Sequence, residues 1–300
     1  MKLRLGARGS ALSLVQADLV ARALEGKAEI EIVTVRTTGD RLSAEGRAIG
    51  WKGDFTRELD AALLDGSIDL AVHSLKDVPS DVPDGLLLAA VPRREDPSDV
   101  LVSHPSRRFA ELPAGAKVGT SSPRRRAQIL AARADLDVLE ARGNVDTRLR
   151  RVSEGRFDAI VLARAGLARL GRLDAVAEVL PPEVMLPAVG QGALAVFTRQ
   201  DGAARATVAT IDHAPSRASA TAERALLAEL EAGCHAPVAG LATVADEALR
   251  LQAAVFSSDG SEALRETVSG ASSDAATLGR EAARRLLSRG ASRFLDRVSP

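Results

Sequence analysis

Apolar and polar positions along the chain change period repeatedly. Leu3 and Leu5 alternate with charged neighbours, the two-residue period of a strand. Leu12, Val15, Leu19 and Ala23 then recur at helical spacing behind Ser10, a residue suited to capping a helix N-terminus. A strand, a loop and a helix in this order open an α/β domain. EIEIVTV (29–35) predicts a second strand; Phe55, Leu59, Ala62 and Leu63 mark one face of a helix; IDLAVHS (68–74) and LLLAAV (86–91) predict further strands. Between the second strand and that helix lies TTGDRLSAEGRAIGWKGD (37–54), polar and too long for an ordinary connection, which predicts a lid.

PRREDPSDV (92–100) reads as a crossing between domains. Beyond it the strands KVGT (117–120), DVLE (137–140) and DAIVLAR (158–164) alternate with the helices PRRRAQILAAR (123–133) and VDTRLRRVSEG (145–155), which predicts a second α/β unit on a parallel sheet. MLPAVGQGALAVF (185–197) fits no single period and is a candidate for the return to the first domain. SRASATAERALLAELEAG (216–233) predicts a long amphipathic helix closed by Gly233 as its C′ residue. Strands PVAGLATV (237–244) and LRLQAAVFS (249–257) and a helix near 273–289 complete the pattern. Two α/β lobes joined by crossing segments place a ligand in the cleft between them.

Length and composition fit this division. Three hundred residues exceed one ordinary core, and 46% hydrophobic with 27% charged residues is usual for a soluble chain. Forty basic and 40 acidic residues cancel, which argues against a general nucleic-acid binder, since such a protein needs a basic excess. No apolar run of membrane-spanning length and no apolar signal segment in MKLRLGARGS is present, so the expectation is a cytoplasmic protein without membrane contact. Only Lys2, Lys27, Lys52, Lys76 and Lys117 are lysine among the 40 basic residues. Abundant arginine first reflects composition; only placed clusters bear on function, through bidentate contacts to carboxylates.

Three stretches are so placed. In LAVHSLKDVP (70–79) a strand runs directly into Ser74, Lys76 and Asp77, and the ends of parallel strands are where ligands bind. A solvated ion pair is the equal alternative, and His73 within the strand reads as a satisfied core residue. In GTSSPRRRAQ (119–128), Ser121 and Ser122 precede Pro123 at the first helical position, followed by Arg124, Arg125 and Arg126. Free N–H groups, hydroxyls and guanidinium groups make an anion site, and three cations opposing the helix dipole are more readily tolerated beside an anion. In ARGNVDTRL (141–149), Arg142 follows a strand and Arg148 lies in the next helix. With Arg8 and Arg169 they outline a cleft suited to a polycarboxylate. The glycines of GQG (190–192) allow close backbone approach.

Cys234, in EAGCHAP, is the sole cysteine, so it forms no internal disulfide and no Cys-pair zinc motif. Adjacent His235 points the other way in an extended segment, and His73, His104 and His213 show no ligand spacing. A buried inert thiol is the strongest plain reading. Its loop position after glycine favours exposure instead.

RGSALSLVQ, KGDFTRELD, VHSLKDVPS, GTSSPRRRAQ, RGNVDTRL, LPAVGQGAL and ERALLAELEAGCHAPV, in this order over 8–238, closely resemble the porphobilinogen deaminase (hydroxymethylbilane synthase) family. The resemblance implies two periplasmic-binding-protein-like α/β lobes plus a smaller C-terminal α+β domain carrying the cofactor cysteine. The domains would be 1–93 plus 193–212, 98–188, and 215–300. It implies a monomeric transferase of haem biosynthesis that condenses four porphobilinogen molecules head to tail, releases four ammonia, and frees linear hydroxymethylbilane. The primer is a dipyrromethane cofactor joined to Cys234 by a thioether. Asp77 matches the catalytic aspartate; Ser74, Lys76, Asp77, Ser121, Arg124, Arg125 and Arg142 match cofactor-binding positions, and Arg8, Ser10, Arg148 and Arg169 substrate-binding ones. Lys52 would sit on the lid, and no metal is implied. Elementary chemistry agrees: porphobilinogen carries two carboxylates, loss of its ammonia leaves an electrophilic azafulvenium that a thiolate attacks, and positive charge on the pyrrole calls for a preplaced carboxylate. The chain departs from the family pattern at Trp51, Asp54 and Pro123. A non-catalytic two-lobed binding protein is the rival, but it has no use for Cys234 or Asp77.

Overall fold

The structure, a computed structural model, describes residues 1–38, 56–233 and 236–295. The first lobe contains β1 (Lys2–Arg8), α1 (Ala11–Ala23), β2 (Glu29–Val35), α2 (Arg57–Leu64), β3 (Leu70–Ser74) and β4 (Leu86–Ala90). The second contains β5 (Asp99–Ser103), β6 (Lys117–Gly119), α3 (Pro123–Ala132), β7 (Asp137–Leu139), α4 (Val145–Ser153), β8 (Ala159–Ala163), α5 (Arg164–Arg169) and β9 (Glu178–Leu180). Then come β10 (Leu194–Arg199), α6 (Ala204–Ala209), α7 (Ala214–Glu229), β11 (Val238–Ala245), β12 (Ala248–Phe256), β13 (Ala263–Ala271) and α8 (Ala275–Ser288). Two α/β lobes and a smaller α+β unit are thus present. Among the described residues no helix is long and apolar enough to cross a membrane.

The two lobes share one plan. Their sheets run β2-β1-β3-β10-β4 and β7-β6-β8-β5-β9. In each, the lobe's own first strand lies between its second and third, and the fourth place is taken by a strand arriving from a crossing. That strand is antiparallel to both neighbours, β10 to β3 and β4, β5 to β8 and β9. The sheet of the second lobe is therefore mixed, not parallel as the alternation of elements predicts. Register supplies the reason. Leu194 at the start of β10 pairs with Ser74 at the end of β3, and Asp99 at the start of β5 pairs with Ala163 at the end of β8. Both crossings enter at the carboxyl ends of the parallel strands, so the strands they feed must run the other way. The crossings consequently lie along the edge where ligands bind in such sheets.

Alternating residues fill two cores in the first lobe. Leu3, Leu5, Ala7 and Val72 pack with Ala17 and Val20 of α1 on one face. Ala71, Ala195 and Phe197 pack with Leu59 and Leu63 of α2 on the other. Ser10 caps α1 as its spacing predicts, accepting from the Ser13 N–H at 3.3 Å. In the C-terminal unit α7 and α8 cover the antiparallel sheet β11-β12-β13. Strand β13 is absent from the apolar pattern because only Val268 of its nine residues is buried. This unit docks on the second lobe through Ala239, Leu241, Ala254 and Phe256 against Ala127 and Leu186.

One carboxylate joins all three units. Glu223 of α7 is fully buried. Its Oε1 accepts from Arg94 Nη1 at 2.7 Å and the Ala242 N–H at 2.7 Å; its Oε2 accepts from Arg94 Nη2 at 3.1 Å and the Gly190 N–H at 2.6 Å. Arg94 lies on the first crossing, Gly190 on the second, and Ala242 in the C-terminal sheet. Gly190 and Gly192 take left-handed backbone (φ 73° and 84°), and a Cβ on Gly192 would stand 2.3 Å from the Glu95 carbonyl oxygen. The close approach expected of GQG is made between the crossings. Replacing Glu223 with Ala strands a buried guanidinium and two buried N–H groups. The expected cost is about 3–5 kcal/mol, measured as a lowered urea midpoint.

Candidate active site

The predicted site residues in the described part follow the carboxyl ends of β1, β3, β6, β7 and β8. In the first lobe Arg8, Ser10, Gln16, His73, Ser74 and Asp77 line one small pocket. The Arg8 N–H donates to Ser13 Oγ at 3.0 Å, and Gln16 Nε2 donates to Ser74 Oγ at 2.8 Å. His73 is buried edge-on to Phe197, centroids 5.9 Å apart. Burial and then the Arg8 charge push its pKa down to about 4, so the ring is neutral. It is not the satisfied core residue expected, since its Nε2 is buried without a partner.

Beyond β3 the chain turns through a single 3-10 turn, Leu75–Asp77. This turn presents an exposed Asp77 and a half-buried Lys76. Burial lowers the Lys76 ammonium to about pKa 8; Asp77 opposes the shift, Arg125 adds to it, Asp99 opposes it more weakly, and Arg124 adds a smaller lowering. Those partners place the turn of the first lobe beside the arginines of the second.

Arg124 and Arg125 are not side chains standing in an open cleft. Ser122 caps α3, Pro123 occupies its first turn, and both guanidinium groups fold inward, 3% and 6% exposed. They close on Asp99, itself fully buried at the start of β5. Arg124 Nη1 lies 2.8 Å from Oδ2, and Arg125 Nη2 2.7 Å from Oδ1. Burial alone would raise the Asp99 carboxyl, but Arg124 and then Arg125 outweigh it and hold the group at about pKa 2. The anion that the helix dipole calls for is therefore supplied by the protein. Arg126 points elsewhere, donating to the Val138 carbonyl at 2.5 Å.

Arg148 joins this group from α4, whose N-cap Asn144 accepts from the Thr147 N–H at 2.9 Å. Burial first, then Arg125 and Arg151, lower its pKa to about 10, with Asp77 opposing. Its Nε and the Nε of Arg124 are buried without an acceptor. The other predicted residues are more committed. Ser121 donates to the Ala141 carbonyl at 2.7 Å, Arg142 Nε pairs with Glu140 at 2.7 Å, and Arg169 Nη2 donates to the Gly192 carbonyl at 2.6 Å on the second crossing.

Lys52 and Cys234 lie outside the described residues. Just before Cys234, the C′ residue expected at Gly233 is instead Glu231, left-handed at φ 52°. The N–H groups of Glu231 and Ala232 return to the carbonyls of Ala228 and Leu227, which ends α7 two residues early. Sequence reasoning missed Gln16, Asp99 and Gln191. The side chain of Gln191, 1% exposed, donates to the Pro97 carbonyl at 2.6 Å and to Asp99 Oδ1 at 2.9 Å. Only its flanking glycines signalled it.

Asp77 adjoins Lys76 on its own turn and acts on Arg148, Arg124 acts on Lys76, and Arg124 and Arg148 keep buried Nε donors without an acceptor. The arrangement can receive several anionic groups and place one carboxylate beside positive charge. The family model described as porphobilinogen deaminase, dipyromethane cofactor binding domain, matches residues 3–207, and that described as its C-terminal domain matches 218–288. The chain belongs to the porphobilinogen deaminase family. Relatives of that name include one from Moorella thermoacetica, 49% identical over 99% of this chain and 97% of that protein. Another, from Desulforudis audaxviator, is 50% identical over 98% and 96%. An alkanesulfonate-binding protein from Xanthomonas axonopodis pv. citri is a more remote structural match: TM-score 0.36, 21% identity, 75% of this chain and 74% of that one.

The depressed Lys76 gives a testable titration. Competitive acylation across pH should read Lys76 with a midpoint near its value of about 8. Lys2, raised by its hydrogen bond to Glu31, should titrate above the ordinary lysine range. A Lys76 midpoint in the ordinary range would show that the site does not desolvate it.

Proposed function

We propose that the chain condenses four porphobilinogen molecules head to tail on a dipyrromethane primer held by Cys234, releasing four ammonia and then linear hydroxymethylbilane for tetrapyrrole (haem) synthesis. It acts as a monomeric transferase in the cytoplasm, with domains at 1–93 plus 193–212, 98–188 and 215–300. The observation that carries this reading is the pair of buried donors without protein acceptors on Arg124 and Arg148, beside Lys76 and its neighbour Asp77, in a chain of this family.

The residues fit the primer. Two joined substrate units carry four carboxylates, and Arg124 Nε and Arg148 Nε are buried donors that lack an acceptor in the protein. A buried unpaired guanidinium N–H is costly, so such donors favour an anionic ligand. Lys76, Arg124 and Arg148 would take its carboxylates, with Ser74, Ser121, Arg125 and Arg142 around them. When bound, the primer supplies the pyrrole carbon at which the chain grows. Arg8, Ser10 and Arg169 flank the substrate position, and Lys52 belongs to the lid. Asp77 accepts pyrrole N–H groups and stabilises the positive charge that develops on the substrate ring as ammonia departs. That role requires an ionised carboxylate set in advance, because charge forms faster than a side chain reorganises.

Asp77→Asn keeps the shape and removes the charge. Turnover should fall about 10²–10⁴-fold with an unchanged thermal melt; near-normal turnover would remove Asp77 from the reaction. The deciding experiment is intact-protein mass under denaturing conditions after incubation with porphobilinogen. An addition of two pyrrole units, mapped to the peptide containing Cys234 and absent in Cys234→Ser, is expected. A bare chain mass, or the same load in the serine variant, would overturn the tether.

A further inference from the structure

Asp99 has no role in the reading above, yet it stands at the centre of the cationic cluster. It is the first residue of β5, where the first crossing enters the sheet, and it is fully buried. Arg125 commits its side-on edge to this carboxylate, Nε at 3.1 Å and Nη2 at 2.7 Å from Oδ1, and its Nη1 donates to the Val161 carbonyl at 3.0 Å. Arg124 is held differently. Its Nη1 donates to the Leu186 carbonyl at 2.7 Å and stands 2.8 Å from Asp99 Oδ2 as an ion pair, that oxygen accepting no hydrogen bond from a described residue. Its Nε has no acceptor, and no described residue accepts from its Nη2. The Nε–Nη2 edge is the fork that grips a carboxylate with two parallel hydrogen bonds. Gln191 fixes Asp99 from the second crossing through its Nε2, 2.9 Å from Oδ1.

We propose that Asp99 is a positioning residue: it neutralises Arg125, pins Arg124 by one terminal nitrogen, and so leaves the Nε–Nη2 edge of Arg124 set to receive a ligand carboxylate. The inference rests on the proposed function. Two guanidinium groups side by side repel one another, and without an anion between them each would be held only by its bond to a backbone carbonyl. Asp99 supplies that anion without occupying the unpaired edge of Arg124. It also adds negative potential at Lys76, which faces Asp77 on its own turn, Arg124 and Arg125 from α3, and Asp99 from β5.

The test is a double-mutant cycle on the full chain loaded with primer from porphobilinogen, read by intact-protein mass as the porphobilinogen concentration for half-loading. Arg124→Met alone should raise that concentration about 10–100-fold, the loss of one charge-assisted pair. Asp99→Asn should raise it similarly in the native background and add little once Arg124 is already Met. In the loaded enzyme Asp99→Asn should also move the alkaline limb of kcat/KM to lower pH, because Lys76 loses a neighbouring anion; a merely structural defect would depress the profile evenly and leave the limb in place. Additive losses, or an unmoved limb, would overturn the role of Asp99 while the functional reading stands. Unchanged half-loading in Arg124→Met would overturn the proposal, whereas no primer load on the native chain would overturn the functional reading as well. Should Asp99→Asn fail to fold, Asp99→Glu keeps the charge and displaces it by one methylene. A several-fold rise in the half-loading concentration that vanishes with Arg124→Met, and a limb in its native place, are then expected; a rise that persists in full would refute the proposal.

Discussion

Both crossings between the lobes, and the unit that follows them, depend on one buried carboxylate. Glu223 receives Arg94 from the first crossing, the Gly190 N–H from the second and the Ala242 N–H from the C-terminal sheet. A charge taken this far from water is expensive, and a buried ion pair adds little net stability over an apolar replacement. Its effect here is geometric. Four directed hydrogen bonds on two oxygens admit one arrangement of the three segments, where apolar contacts would tolerate sliding. The turn bearing Lys76 and Asp77 belongs to one lobe, and the helices bearing Arg124 and Arg148 to the other. Their mutual distance is set through the crossings, so the site inherits its precision from a residue outside it.

The same logic recurs within the cleft. Asp99 gathers Arg124, Arg125 and Gln191 as Glu223 gathers its partners. The difference lies in what remains. Around Glu223 donors and acceptors are matched. Around Asp99 cations exceed anions, with Arg124 and Arg148 each keeping a buried N–H without an acceptor and Lys76 depressed to about pKa 8. Such an excess is offset when a ligand supplies the missing charge, and this is the electrostatic basis of the proposed polycarboxylate site. The whole chain is neutral, with 40 residues of each sign, so this excess is a matter of placement.

Placement of the crossings explains why the cleft is built where it is. Each crossing enters its sheet at the carboxyl ends of the parallel strands, through Asp99 in one lobe and Leu194 in the other. Arg169 reaches from α5 to the Gly192 carbonyl, and Gly190 passes beside the backbone of Lys76. Residues proposed to meet the ligand and residues that join the lobes are therefore interleaved. A change in the angle between lobes would be felt at once by the anion-binding groups, and the reverse holds as well.

Much of this protein is local and was legible in the chain. The two-residue and helical periods located β1, α1, β2, β3, α3 and α7 within a residue or two, because burial of one face imposes the pattern. Ser10 and Pro123 announced helix starts, since capping is decided by neighbours along the chain. The motifs carrying Asp77, Lys76 and the arginines sufficed to name the family. The mixed sheets, the partner of Arg124 and Arg125, the hub at Glu223 and the left-handed Glu231 in place of Gly233 were not legible. Strand direction depends on where a crossing enters, and Asp99 reads as one acid among 40 until folding brings it 2.7 Å from a residue 26 positions away. Sequence determined which groups the site would contain, because chemistry is a property of residues. Tertiary structure alone decided which of those groups stay free for a ligand, because pairing of buried charges is settled by contacts distant along the chain.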